Sequence, residues 1–171
     1  RAPLKDGLPT LEDHRGKNVR EAANHLFALG NQCVFIGDSL PSEKELEDLS
    51  SLDPNAVELL IELKDYNDIT LKLLKETYTH RIDEGRDAIR AAESRLLLNG
   101  ETIEPFNTID KNFGDITLDN VKYMRYMGEL QILKTNQKAD IRTNVIASVA
   151  KDYLYLLKYI DGGKRFYFNI K

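Results

Sequence analysis

An α/β segment joined to a β-rich barrel is the fold class this sequence predicts. Three observations carry it. Helix and strand signals alternate over the first fifty residues, the hydrophobic period then drops to two, and turn-forming residues punctuate the rest at short intervals.

The elements follow in order. Residues 8–11 predict a short extended segment. Asn18 suits the cap of a helix, with Glu21 three residues on to complete a capping box. Val19, Ala22, Ala23, Leu26 and Leu29 then recur at helical spacing, and Gly30 supplies the stop. Residues 33–36 are apolar at every position, which predicts a strand covered on both faces, as in a parallel sheet. Gly37-Asp38-Ser39 ends it. Ser42 with Glu45 forms a second capping box, and Leu46 and Leu49 give the next helix its apolar stripe. The segment therefore reads as two βα units. Two such units cannot cover their own faces. The remainder of a larger barrel is expected upstream, and the opening Arg1-Ala2-Pro3, without Met, fits a piece of a longer chain.

Residues 50–55 form a turn-rich junction, which divides the chain into residues 1–50 and 51–171. Beyond it Val57, Leu59, Ile61 and Leu63 alternate along a strand. A short helix is predicted over 69–75. Asn99-Gly100, between two apolar runs, predicts a hairpin. Strands are predicted over 115–118, 129–133, 143–150 and 164–170, with a helix over 152–160. Many short strands with few helices point to a closed or nearly closed β-barrel.

Composition narrows the function. The chain has 171 residues, a net charge of -4, 42% hydrophobic and 30% charged residues. That balance is soluble and globular, and no basic face suggests nucleic acid. No apolar run is long enough to span a membrane, and residues 1–12 lack the apolar stretch of a signal peptide, so a cytoplasmic protein is expected. The lone Cys33 fits a reducing compartment and reads as a packing residue. His25 and His80 lack partners at metal-ligand spacing, and no phosphate loop or nucleophile elbow occurs; no cofactor and no metal are expected.

The densest polar cluster is Glu12-Asp13-His14-Arg15, between a strand and a helix. In a (β/α)8 barrel that is a βα loop, on the face where active sites lie. Glycoside hydrolysis uses one carboxyl as acid and commonly a second as nucleophile or base. Adjacent Glu12 and Asp13 diverge, so a single one of them is expected to act, with a partner carboxylate elsewhere. The alternative is a solvated helix-entry loop with Glu12 paired to Arg15. Asp38 leaves the second strand at the same face, or serves only as turn chemistry. Arg90 and Arg95 offer guanidinium groups suited to phosphate, or to surface ion pairs. Tyr123, Tyr126 and the tyrosines of 153–159 read as sugar platforms or as core.

Five segments in order give a resemblance over nearly the whole chain. They are Leu8-Pro9-Thr10-Leu11-Glu12-Asp13-His14-Arg15-Gly16, Ile36-Gly37-Asp38-Ser39, Thr102-Ile103-Glu104-Pro105-Phe106-Asn107-Thr108-Ile109, Gly114-Asp115-Ile116-Thr117-Leu118-Asp119-Asn120 and Tyr126-Met127-Gly128-Glu129-Leu130-Gln131-Ile132. Together they resemble the bacterial 6-phospho-N-acetylmuramidase family. The resemblance implies a (β/α)8 barrel, of which residues 1–50 are the last two βα units, followed by a cyclophilin-like β-barrel. It implies a cytoplasmic glycosidase that cleaves 6-phospho-N-acetylmuramic acid from N-acetylglucosamine during cell-wall recycling. Family members are about twice this length, so the chain alone is expected to be inactive without the missing N-terminal barrel. Carried over, Glu12 and Asp13 would be catalytic. His14, Arg15, Asp38, Arg90, Arg95, Glu104, Asn107, Gly114 and Asp115 would bind the phosphorylated amino-sugar disaccharide. The family carries more basic residues before Gly-Asp-Ile-Thr than Asp110-Lys111-Asn112-Phe113 does, which argues against a phosphate role for that loop here. The competing class is a non-enzymatic carbohydrate- or peptide-binding barrel; prolyl isomerisation rests on fold analogy alone.

Overall fold

The structure is a computed structural model that describes residues 9–37 and 40–171. It divides into two compact units, Arg1–Asn55 and Ala56–Lys171.

In the first unit a 3-10 turn, Glu12–His14, precedes helix α1, Val19–Ala28. Asn18 caps α1 by accepting from the Glu21 N–H at 2.8 Å, and Glu21 accepts from the Asn18 amide at 2.8 Å. Helix α2, Glu43–Ser50, starts at a full capping box of Ser42 and Glu45. The apolar cluster is small: Ala23, Phe27 and Leu52 are buried, with Val34 and Leu49 packed on them. Two expectations are corrected here. No strand forms at Pro9–Leu11, Leu8 lying outside the described residues, and none forms over 33–36. The buried packing expected of Cys33 is absent too: Cys33 is exposed, and Phe35 is 81% exposed. An apolar run becomes a strand only beside hydrogen-bonding neighbours, and no other segment of the described unit offers an edge. Exposed Phe35, Leu40 and Leu46 leave apolar surface on this unit.

The second unit is a mixed seven-stranded sheet nearly closed into a barrel. Its strands are β1 Ala56–Leu63, β2 Thr77–Thr79, β3 Ala88–Arg90, β4 Asp115–Asp119, β5 Leu130–Leu133, β6 Thr143–Val149 and β7 Arg165–Ile170. The order is β2-β7-β1-β6-β4-β5-β3. The two edge strands meet at a bridge between His80 and Ala91, where Arg81 N donates to Arg90 O at 3.0 Å and Ala92 N to Thr79 O at 2.9 Å. That bridge removes most of the free edge a sheet would otherwise expose.

The alternation read in β1 sends Val57, Leu59 and Ile61 inward, each fully buried. Strand β7 runs parallel to β1 and sets Phe166 and Phe168 opposite Val57 and Leu59. Tyr78 of β2 packs on both phenylalanines at ring distances of 5.8 and 6.2 Å. Across the barrel Ile116 pairs with Ile132, and Leu118 with Leu130, all fully buried. Each such side chain contributes about 1.5–3 kcal/mol of hydrophobic stabilisation. Helix α3, Asp68–Leu73, and a 3-10 stretch, Lys151–Tyr159, cover the sheet where helices are predicted.

The hairpin expected at Asn99-Gly100 is not formed. Residues Ser94–Leu97 form a short helix, α4, and Asn99 (φ 48°) and Gly100 (φ 85°) end it. The same left-handed pair that builds a two-residue hairpin also terminates a helix, so the dipeptide alone does not choose. Arg90 lies on β3 and Arg95 on α4.

Candidate functional site

In the first unit the polar turn is stabilised by its own charges. Arg15 grips Glu12 through both arms of its guanidinium, at 2.5 and 3.1 Å. Both side chains are solvent-accessible, Glu12 at 76%. That pairing holds the Glu12 carboxyl below its ordinary range, first through the hydrogen bond to Arg15. An ionised Glu12 is suited to stabilise positive charge and unsuited to donate a proton. Asp13 has no ion-pair partner among the described residues and stays exposed.

His14 is turned inward instead and is buried. Its Nε2 meets Nδ1 of His25 at 2.9 Å, the rings nearly perpendicular at 74°. One ring must donate and the other accept, so the bond cannot persist with both rings charged. Burial lowers the pKa of His14, Lys17 adds to the effect and Asp13 opposes it. His25 was read as solitary because its partner lies eleven residues back, a spacing that becomes a contact only when α1 folds against the turn. A cleft of about 310 Å³ opens beside them, lined among others by Arg15, Lys17, Val34, Phe35 and Leu49. Asp38 lies outside the described residues.

In the second unit the expected residues fall in different surroundings. Asp115 is buried, accepting from Lys64 Nζ at 2.6 Å and from Asn112 N at 2.9 Å. Asn107 adopts φ 42°, and its amide donates to Val145 O at 2.7 Å while its carbonyl accepts from Val145 N at 3.2 Å. It thus takes the backbone groups of β6 beside the register shift between Ile116 and Thr117. Glu104 is exposed, and its backbone carbonyl accepts from Asn144 Nδ2 at 2.9 Å. Gly114 has φ 85°, and a Cβ there would overlap Leu154. Arg95 donates to the Arg125 carbonyl, and both guanidinium groups stack on Tyr126, at 5.7 and 5.0 Å. Arg90 donates to the Asp83 carbonyl at 2.5 Å and to its carboxylate at 3.0 Å, and Arg81 binds the same carboxylate.

Register exposes a polar array that the sequence conceals. Arg90 faces Gln131, and Gln131 faces Thr117, so three polar side chains share one row across β3, β5 and β4. One step along, the same register sets Glu129 opposite Asp119, where Asp119 N donates to Glu129 O at 3.1 Å. Asp119 accepts from Thr143 Oγ1 at 2.9 Å. Burial drives the Asp119 carboxyl up to about 7, and the Glu129 and Asp140 carboxylates push in the same direction. Thr117, Asp119, Glu129 and Lys111 are each at least 95% buried. Among the described residues, Thr117 Oγ1 and Arg90 Nε have no hydrogen-bond partner. Leaving buried polar atoms unmatched costs about 1–3 kcal/mol apiece. The one sequence signal was the alternation Asp115, Thr117, Asp119 in a strand buried along its length.

Known proteins place the chain in context. Residues 1–51 match the family described as 6-phospho-N-acetylmuramidase, N-terminal, and residues 57–169 match 6-phospho-N-acetylmuramidase, C-terminal. A crystal structure of an uncharacterized B. cereus protein superposes over 99% of this chain with a TM-score of 0.89 at 28% identity. A conserved Enterococcus faecalis protein of unknown function matches over 100% of it with a TM-score of 0.70 at 32% identity. The chain spans about half the length of these two, 50% and 46%. No curated protein matches it.

Proposed function

The chain belongs to the 6-phospho-N-acetylmuramidase family, and on that premise we propose that it is part of a glycosidase that cleaves 6-phospho-N-acetylmuramic acid from N-acetylglucosamine in cytoplasmic cell-wall recycling. The observation that carries the reading is the pair of consecutive family matches, one on each unit, with Glu12 to Arg15 in the first. No helix of the described residues is long and apolar enough to cross a membrane.

In this reading α1 and α2 are the last two helices of a (β/α)8 barrel, and the apolar run 33–36 becomes a strand once neighbouring strands from the rest of that barrel flank it. The exposed Phe35 and Leu40 support this, since unburied apolar surface of that size favours a partner. The second unit is then the cyclophilin-like domain. The chain alone is inactive, because catalytic groups need rigid elements on all sides to hold them in place.

The two carboxylates take different roles. Glu12, held ionised by Arg15, stabilises the cationic sugar of the transition state or orients Arg15 toward the substrate's anionic group. Asp13, exposed and without an ion pair among the described residues, is the group able to approach the glycosidic bond. Arg90, Arg95 and Glu104 are the candidate substrate contacts of the second unit, and Asn107, Gly114 and Asp115 hold its loops. The test is hydrolysis of a 6-phosphomuramyl disaccharide by the longer protein that contains this chain. Asp13→Asn is expected to lower turnover by about 10²–10⁴, and Glu12→Gln by less. Unchanged turnover in both variants removes this turn from the mechanism.

A further inference from the structure

A recess of about 360 Å³ opens on the second unit, walled by Phe113, Leu154, Tyr155 and Leu157, with Lys134 and Lys158 completing its lining. Three segments build it, and hydrogen bonds hold each of them. Phe113 stands just before β4, where its N–H donates to Asn136 Oδ1 at 2.7 Å. The next residue, Gly114, donates to Leu133 O at 2.8 Å and accepts from Val149 N at 2.9 Å. Those bonds fix the start of β4 while the Phe113 side chain stays 44% exposed. Gly114 has φ 85°, and a Cβ there would overlap Leu154. Glycine thus lets the 3-10 stretch Lys151–Tyr159 settle against the start of β4, with Leu154 as a wall of the recess. Lys134 follows β5, and its N–H donates to Asp87 O at 2.8 Å. The recess is therefore formed in advance, at the small end of the size range of ligand pockets.

The charges decide the ligand class. The chain carries a net charge of -4, yet no carboxylate side chain lines this recess. The Lys158 ammonium lies over the Tyr159 ring at 4.8 Å and has no ion pair among the described residues. Lys134 reaches the Gly85 carbonyl at 3.5 Å, and the carboxylate it acts on, Asp87, is already gripped by both arms of Arg86 at 2.9 Å. Two positive charges are thus left beside an apolar hollow. A sugar does not suit such walls, since its hydroxyls would lose water and gain few partners. Free phosphate would use the ammonium groups and none of the walls. A carboxylate carried on an apolar body uses both, and the rings of Phe113 and Tyr155 favour an aromatic body.

We propose that this recess binds a small aryl carboxylate, its ring against Phe113, Leu154 and Leu157 and its carboxylate held by Lys134 and Lys158. The ligand is of a different chemical class from a phosphosugar. The site therefore stands apart from the glycosidase reading and does not depend on it.

The experiment is an amide chemical-shift titration of the full 171-residue chain. The probes are 3-phenylpropionate, its neutral amide 3-phenylpropanamide, N-acetylglucosamine 6-phosphate and inorganic phosphate. Saturable shifts at Phe113, Lys134, Leu154 and Lys158 are expected with 3-phenylpropionate, at about the millimolar affinity open to so small a ligand. The neutral amide is expected to bind about tenfold more weakly, and the sugar phosphate and free phosphate to leave these amides unmoved. No saturable shift with 3-phenylpropionate, or shifts centred elsewhere, overturns the proposal. So does equal binding of the neutral amide, which would make the recess an apolar docking groove indifferent to charge, or equal shifts with inorganic phosphate. Lys158→Gln, at an exposed position, is expected to weaken 3-phenylpropionate about threefold at an unchanged melting temperature. Lys134→Gln is expected to act in the same direction. Unchanged affinity in both variants removes the ammonium groups from recognition and ends the proposal. Should Lys134→Gln fail to fold, Lys158→Gln decides alone on the same readout.

Discussion

Helix α2 and strand β4 show what distinguishes the two units. Helix α2 has a complete capping box and a helical apolar stripe, yet none of its residues is buried. Strand β4 has acidic residues at both ends, yet all five of its residues are buried. The cap stabilises α2 by about 1 kcal/mol, and the contact of Leu49 with the small apolar cluster holds the helix without burying it. Burial needs surfaces contributed from far along the chain, and in the second unit the near-closed sheet supplies them. Chemistry follows the same division. In the first unit Glu12 and Asp13 stay in water, while in the second Asp115, Asp119 and Glu129 are buried.

The largest effect is expected from the barrel core. Leu118→Ala should cost about 2–5 kcal/mol in urea unfolding of the second unit. Phe27→Ala in the first unit should cost less than Leu118→Ala, because the cluster it packs in is small and can collapse around the gap, and should leave the barrel transition in place. A common transition shifted equally by both would mean that the units unfold as one, and the contrast would fail.

Next comes the buried carboxylate. Asp119 has a folded pKa of about 7 against 3.8 in the unfolded chain, so the folded state binds the extra proton between those values. Stability from this group is therefore full below pH 4 and is lost as pH rises toward 7. Asp119→Asn keeps an acceptor for Thr143 and removes the charge. It is expected to stabilise the barrel by about 1–3 kcal/mol at pH 7 and to flatten the dependence between pH 4 and 7. A destabilised variant at pH 7 would show the ionised carboxylate to be favourable where it stands.

The smallest effect tests α2. Ser42→Ala should raise amide exchange within α2 by an amount equal to about 1 kcal/mol, with exchange in β4 unchanged.

Much of this was legible in advance where a period or a cap is local. Strands β1, β4, β5, β6 and β7 and both capped helices were read from the alternation in β1, from short apolar runs between turns, and from Asn18 and Ser42. Strands β2 and β3 were not, because three residues carry no recognisable period and owe their pairing to β7 and β5. Residues 33–36 read as a strand from composition, and composition cannot supply a neighbouring edge. The candidate turn Glu12 to Arg15 was visible as a cluster, and its ion pair was one of the two readings it allowed. The array of Thr117, Gln131, Glu129 and Arg90 was hidden, since those residues meet only through a register between segments far apart in sequence.

The central claim is that chemistry sits on the first unit and sugar contacts on the second. Steady-state kinetics of the longer protein on the 6-phosphomuramyl disaccharide tests it most directly. Asp13→Asn is expected to lower kcat with little change in KM, and Arg90→Ala to raise KM about tenfold with kcat unchanged. Variants that move the same parameter together, or Arg90→Ala kinetics indistinguishable from the parent, would contradict it.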